Sequence, residues 1–408
     1  LKRYFWKYFF PLLLVVIAIA EWTCLAWVLG GLFGVRFAWP VHVAVPVLVY
    51  AVNRRIVRHA PAPSGPRRIL RQIYTGFAFG SSFGILFLVA LVIVAGSFWL
   101  VLGPTGLMGT AENFVSVVRA VGTVGLLGIA AAMAYGYSRG QSRLWVNEID
   151  VPVRDLPPEF EGFRIAQISD VHLGNYMDAT AMRSYAERVL QLGADFIVIT
   201  GDITDGLGHA HETFPALAAL EAPSGVAAIL GNHDIGTGAE EVCEALARFT
   251  DFHVLNDEVL MLERGASRVA VIGLRDRGLD WARGVASCSE LEEIASDLPA
   301  GVPRILLSHR PDLFRQAVEL DCCLVLSGHT HGGQLAIPWP RQRRATLARF
   351  MTRYPRGTYV DGGCTLHVNL GLGMTGQPVR VATPREITVA TLRSIVHSKR
   401  SADTAAAA

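Results

Sequence analysis

Acidic, amide and imidazole side chains recur in a set order through the second half of this chain. Asp170-Val171-His172 comes first, then Gly201-Asp202-Ile203-Thr204-Asp205, Gly231-Asn232-His233-Asp234, Ser308-His309 and Gly328-His329-Thr330-His331. Carboxylates, amide oxygens and neutral imidazoles are ligands for divalent metal ions, and a pair of ions needs several of them converging. Taken singly, each group also fits a plainer role, Asn232 as a turn residue and His309 as a hydrogen-bonded loop histidine. Their order and their setting carry more information than any one of them.

That setting is a repeat of apolar strand, ligand loop and helix. Residues 163–168, 196–200, 226–230, 305–307 and 324–326 are short apolar runs, each read as a buried strand ending at one of the groups above. An amphipathic helix is expected over 181–192, with Met182, Tyr185, Val189 and Leu192 inward. Continuous apolar strands alternating with helices imply sheets covered on both faces, with ligands gathered at the carboxyl edge. Segments 269–274, 365–370 and 387–392 are expected to complete a second sheet.

The first third differs in kind. The chain has 408 residues and a net charge of +2, too near neutral to suggest a nucleic-acid partner. Mean hydropathy of +0.35 is high for a soluble protein, and the excess lies before residue 138. Apolar segments at 9–30, 37–52, 77–103 and 115–137 read as four membrane helices, the second short and carrying Pro40, His42 and Pro46. Lys2, Arg3 and Lys7, the arginines from Arg54 to Arg71, and Arg139 and Arg143 fall on one side. By the positive-inside rule the chain is a multi-pass inner-membrane protein with everything after Tyr137 cytoplasmic. A cleaved leader ending near Ala18-Ile19-Ala20 is the competing reading, but the apolar run continues through 22–29. Glu21 and Arg119 are costly in lipid and read as interhelical or snorkelling residues rather than a transport path. The six cysteines form no ligand or disulfide pattern and read as free thiols. The expected organisation is a transmembrane region over 1–138, a linker and edge strand over 139–162, a catalytic domain over 163–393 and a disordered tail over 394–408.

The ordered groups resemble those of the calcineurin-like metallophosphoesterase superfamily, most closely bacterial members in which the domain follows membrane helices. The resemblance spans about 163–392 and implies a four-layer α/β/β/α sandwich with two divalent ions (Mn, Fe, Zn or Mg). It implies that Asp170, His172 and His331 hold one ion, that Asn232, His309 and His329 hold the other, and that Asp202 bridges them. By the same resemblance His233 acts on the leaving oxygen, Asp205 orients His233, and Asp234 supports the ligands from behind. Gly206 stands where the protein-phosphatase branch carries a phosphate-binding arginine, which argues against a phosphoprotein substrate.

Between 337 and 354 the chain mixes Trp339, Arg341, Arg343 and Arg344 with Leu347, Phe350 and Met351. This basic, amphipathic insertion reads either as a contact for substrate or anionic lipid, or as an ordinary solvated loop. The expected function is a membrane-anchored phosphodiesterase or pyrophosphatase. Its partners would be the bilayer and a phosphate ester, lipid-linked in the manner of UDP-2,3-diacylglucosamine. The alternative is a membrane sensor or transporter with a regulatory metal-binding domain.

Overall fold

The structure is a computed structural model and describes residues 9–58, 66–174, 176–281, 284–285, 287–337 and 346–395. It divides into two compact units, one ending at Ser138 and one beginning at Arg139.

The first unit is helical: α1 (Phe10–Phe33), α2 (Trp39–Arg58), α3 (Pro66–Leu102) and α4 (Ala111–Tyr137). Among the described residues three helices are long and apolar enough to cross a bilayer, over Pro11–Phe33, Ile73–Thr105 and Ala111–Ser142. The second of the four expected spans is not one of them. Helix α2 contains Pro46 and ends in Asn53, Arg54, Arg55 and Arg58, so its apolar stretch is too short. Helix α1 packs against the other three, with Cys24, Leu88 and Leu126 at a shared contact. Glu21 is buried there and accepts a hydrogen bond from Asn53 Nδ2 at 2.8 Å.

The second unit holds two six-stranded sheets. The first has the order β1 (Leu144–Val153), β12 (Arg385–Ser394), β2 (Arg164–Ile168), β3 (Phe196–Thr200), β4 (Val226–Ile229), β5 (His253–Val254). The second has the order β10 (Gly357–Asp361), β11 (Cys364–Val368), β9 (Cys322–Ser327), β8 (Arg304–Ser308), β7 (Ser267–Leu274), β6 (Glu258–Arg264). Strands β2 to β5 run parallel, as do β7, β8, β9 and β11.

Alternation along each strand divides the core into three slabs. In β3, Phe196 and Val198 face the other sheet, while Ile197 and Ile199 face helices. The helix-side slab of the first sheet takes Met182 and Val189 from α5 (Ala179–Leu190) and Val242 and Leu246 from α6 (Asn232–Phe249). The outer slab of the second sheet takes Leu291 from α7 (Ser289–Asp297) and Phe314 from α8 (Phe314–Glu319). Three apolar slabs separate four layers, α/β/β/α, with three apolar helices preceding them in the chain.

One expected strand lies elsewhere. Residues 387–392 belong to the first sheet, where β12 runs parallel to β1 and antiparallel to β2. Ile387 packs on the helix side and Ala390 and Leu392 on the inter-sheet side. A strand buried on both faces suits either sheet, so its pattern did not choose between them. The strand also continues to Ser394, which pairs with Val153, one residue past the expected boundary. Residues 396–408 lie outside the described residues.

Candidate dinuclear metal centre

Parallel strands deliver the polar groups to one edge. Asp170 and His172 follow β2, Asp202 follows β3, Asn232 follows β4, His309 follows β8, and His329 and His331 follow β9. The chain reverses sharply at these points. Asp170, His172, Asp202, His329 and His331 have φ of 50°, 50°, 52°, 69° and 48°, the left-handed region that non-glycine residues avoid. Each such residue costs on the order of 1 kcal/mol, a strain the packed sheets beneath must sustain. Gly201, with φ of 86°, has a second reason to lack a side chain. A Cβ there would lie 2.7 Å from His309 Nδ1 and 2.8 Å from Gly231 N.

The side chains form two adjoining nests. In one, His331 Nε2 lies 3.3 Å from Asp170 Oδ1 and 3.0 Å from His172 Nε2. In the other, His309 Nε2 lies 3.2 Å from His329 Nδ1 and 3.3 Å from Asp202 Oδ2. The same Asp202 oxygen is 3.7 Å from His172 Nε2, so one carboxylate stands between the nests. Asp202 Oδ1 accepts the backbone N–H of His233 at 2.8 Å.

These contacts fit cations better than a closed hydrogen-bond network. Two imidazole nitrogens face each other in each nest, and Asn232 Oδ1 is buried without a hydrogen-bond partner among the described residues. The ring orientations are set from behind. His172 Nδ1 donates to Asp205 Oδ1 at 2.7 Å and His309 Nδ1 donates to the Thr200 carbonyl at 2.8 Å, so both rings turn Nε2 inward. Burial pushes the His329 imidazole down to about 3, and burial with His172 and Arg380 nearby pushes His331 well down, so both rings are neutral, the form a metal ion needs. His309 moves the other way, up to about 10, because Asp202 and Asp170 outweigh its burial.

Asp205 Oδ1 also accepts from His233 Nδ1 at 2.9 Å, so one oxygen serves two imidazoles. Burial opposes ionisation of Asp205, but the two rings win and hold its carboxyl down at about 2. The His233 side chain is 36% exposed while that of His172 is fully buried, so of these two rings His233 is the one that reaches the surface. Asp234 is buried and accepts from the backbone N–H groups of Ile203, Thr204 and Gly231 at 2.9–3.0 Å. It ties the β3 loop to the start of α6. Trp339, Arg341, Arg343 and Arg344 lie outside the described residues.

Sequence reasoning missed the brace behind Asp170. Arg380, fully buried, donates through Nη2 to the carbonyls of Leu370, Gly371 and Gly373 at 2.9, 3.0 and 2.6 Å. Its Nη1 reaches the carbonyls of Thr383 and Pro384. The 3.4 Å approach of Nη2 to His331 Nδ1 is the longest of its contacts, and two N–H groups are already claimed by the carbonyls. The loop so held returns two bonds to the β2 end, Leu372 N–H to Ser169 O and Gly373 N–H to Asp170 O. The signal available was Gly371-Leu372-Gly373 at a strand end, where glycines permit close backbone approach.

A family model described as calcineurin-like phosphoesterase matches residues 163–333, which include every candidate ligand. The Bacillus subtilis metallophosphoesterase YkuE is 32% identical over 273 residues, covering 65% of this chain and 92% of its own. A Danio rerio transmembrane protein with metallophosphoesterase domain is 28% identical over 370 residues, 83% of each chain. Among solved structures, a dimetal phosphatase from Danio rerio gives a TM-score of 0.33 at 14% identity over 57% of this chain and 93% of that one, a likeness too slight to carry weight. With YkuE matched over nearly its full length and the family model lying over the ligand-bearing strands, the chain belongs to the calcineurin-like metallophosphoesterases.

Proposed function

We propose that the chain is a membrane-anchored phosphoesterase that cleaves a phosphodiester or pyrophosphate bond at a pair of divalent ions. The observation that carries this reading is Asp202 Oδ2, set 3.3 Å from His309 Nε2 and 3.7 Å from His172 Nε2. Asp170, His172 and His331 would hold one ion, and Asn232, His309 and His329 the other, with Asp202 common to both. Divalent ions bound there would neutralise phosphate charge and make water acidic enough to act as a nucleophile at neutral pH.

The chain's own groups would supply the remaining work. His233, oriented through Nδ1 by Asp205, presents Nε2–H to the departing oxygen and donates its proton as the ester bond breaks. Asp205 keeps that ring and the His172 ring in register. The left-handed turns at the strand ends hold the ligands before substrate arrives, so little reorganisation remains.

An amphiphilic substrate is supported by what borders His331. Thr346 Oγ1 donates to the Gly332 carbonyl at 2.5 Å and Thr330 Oγ1 to the Pro355 carbonyl at 2.8 Å, fastening 346–355 to the ligand loop. That segment exposes Leu347, Phe350 and Met351, Phe350 at 90%. Exposed apolar groups beside a phosphate site suit a lipid-linked ester at a bilayer surface, the class to which UDP-2,3-diacylglucosamine belongs. The four-span reading puts everything after Tyr137 on the cytoplasmic side, and on that reading such a substrate would be met at the inner face.

The test is turnover by the detergent-solubilised full chain loaded with Mn, on bis-p-nitrophenyl phosphate and on a lipid-linked UDP-sugar. Asn232→Ala serves as the control. Turnover of the diester lost in the variant is expected. Two bound ions without turnover of any phosphodiester would instead favour a regulatory metal-binding domain.

A further inference from the structure

The helical unit carries a cavity of about 640 Å³ that the phosphoesterase reading does not use. Its walls come from α1, the α1–α2 link, the start of α2, α3 and α4, and include Trp27, Val92 and Phe114. Among the described residues that line it, the charged or hydrogen-bonding side chains besides Trp27 are Arg36, Arg119, His42 and Thr23, and none is acidic. The volume lies within the range of small-molecule pockets.

The charges stand out by location. Arg36 follows the first membrane span by three residues, and Arg119 lies eight residues inside the last, at a depth of ~12 Å along an ideal helix. An arginine at that depth is costly unless its head snorkels to the interface or an anion accompanies it. Among the described residues neither guanidinium has a carboxylate within 4.0 Å. The helices hold this end of the unit in register by two tryptophans. Trp27 Nε1 donates to the Arg119 carbonyl at 3.2 Å, and Trp22 Nε1 donates to His42 Nδ1 at 3.0 Å. The second bond leaves the His42 proton at Nε2, so the ring offers a donor rather than an acceptor.

We propose that this cavity binds one anionic phospholipid, its phosphate held by Arg36 and Arg119 with His42 as a further donor, and an acyl chain against Val92 and Phe114. Two cations and an N–H donor around apolar walls match a phosphate diester carrying a hydrocarbon tail. They do not match a zwitterionic headgroup, whose ammonium would have no anionic partner there. The site is at the end of the unit away from Arg54 and Arg55 and is independent of the catalytic reading.

Native mass spectrometry of the delipidated full chain, titrated with phosphatidylglycerol or phosphatidylcholine, tests it. One phosphatidylglycerol should be retained with a preference of about tenfold over phosphatidylcholine, and the double variant Arg36→Gln/Arg119→Gln should lower that preference to near unity. Val92→Trp, which fills the cavity with both charges intact, should also remove retention, and Arg54→Gln should leave it unchanged. An unaltered thermal transition keeps the variants interpretable. Equal retention of the two lipids, or a preference that survives both the double variant and Val92→Trp, would overturn the proposal. So would displacement of the lipid by inorganic phosphate at matched concentration, which would mark a free-anion site.

Discussion

Glu21 in the helical unit is buried with one amide donor, Asn53, and its Oε1 has no partner among the described residues. Asp234 in the α/β unit is equally buried and receives three backbone N–H groups. The difference follows from backbone accounting. A helix spends its own N–H groups on carbonyls four residues back, so a carboxylate inside a helical bundle must find side-chain donors. Loops at the ends of parallel strands leave N–H groups free, and a carboxylate placed there collects several. A cluster of acids can therefore be sustained at a sheet edge at a density that the interior of four helices would not tolerate.

The largest effect that would separate the units is expected at the shared carboxylate. Asp202→Ala should cut turnover roughly 10³-fold and lower bound metal, measured by kinetics together with elemental mass spectrometry. If metal content and rate survive, Asp202 does not join the two nests. His233→Gln should come next, a fall in kcat of about 10²-fold with metal content intact, since the proposed ligand set does not include this ring. Asp205→Asn disturbs both His172 and His233 and should weaken metal affinity by about 10- to 100-fold, read from chelator competition. Removing Arg380 by Arg380→Met strands the carbonyls of the loop behind Asp170. It should destabilise the α/β unit by about 3 kcal/mol, seen as a lower thermal transition by near-ultraviolet circular dichroism. The smallest effect belongs to Glu21→Gln, which keeps a hydrogen bond to Asn53 possible: about 1 kcal/mol in stability and unchanged turnover. A turnover loss there as large as that of His233→Gln would erase the distinction between the units.

Much of the α/β unit was legible because its strands are short apolar runs ending at polar groups. The strands read at 196–200 and 226–230 occur as β3 and β4 with bounds within a residue, and the helix read at 181–192 occurs as α5. Less legible was the sheet to which β12 belongs, since a strand apolar on both faces has no address. Arg380 was invisible as a structural residue. An arginine between Val379 and Val381 looks like any surface cation until the fold shows that it is fully buried. In the helical unit the second apolar segment is the one that falls short of a span in length and composition, because Pro46 and the terminal arginines leave too few consecutive apolar residues.

The sequence alone determined which residue types could bind metal and that each follows a strand, because side-chain chemistry and hydrophobic period are local properties. It also determined that the chain's first third is too apolar for water. Only the tertiary structure decided that Asp202 stands between two nests of imidazoles and that one Asp205 oxygen serves two rings. It likewise decided that a loop from beyond residue 369 braces Asp170. These are distances between atoms far apart in the chain, and they depend on how two twisted sheets pack, which no local pattern records.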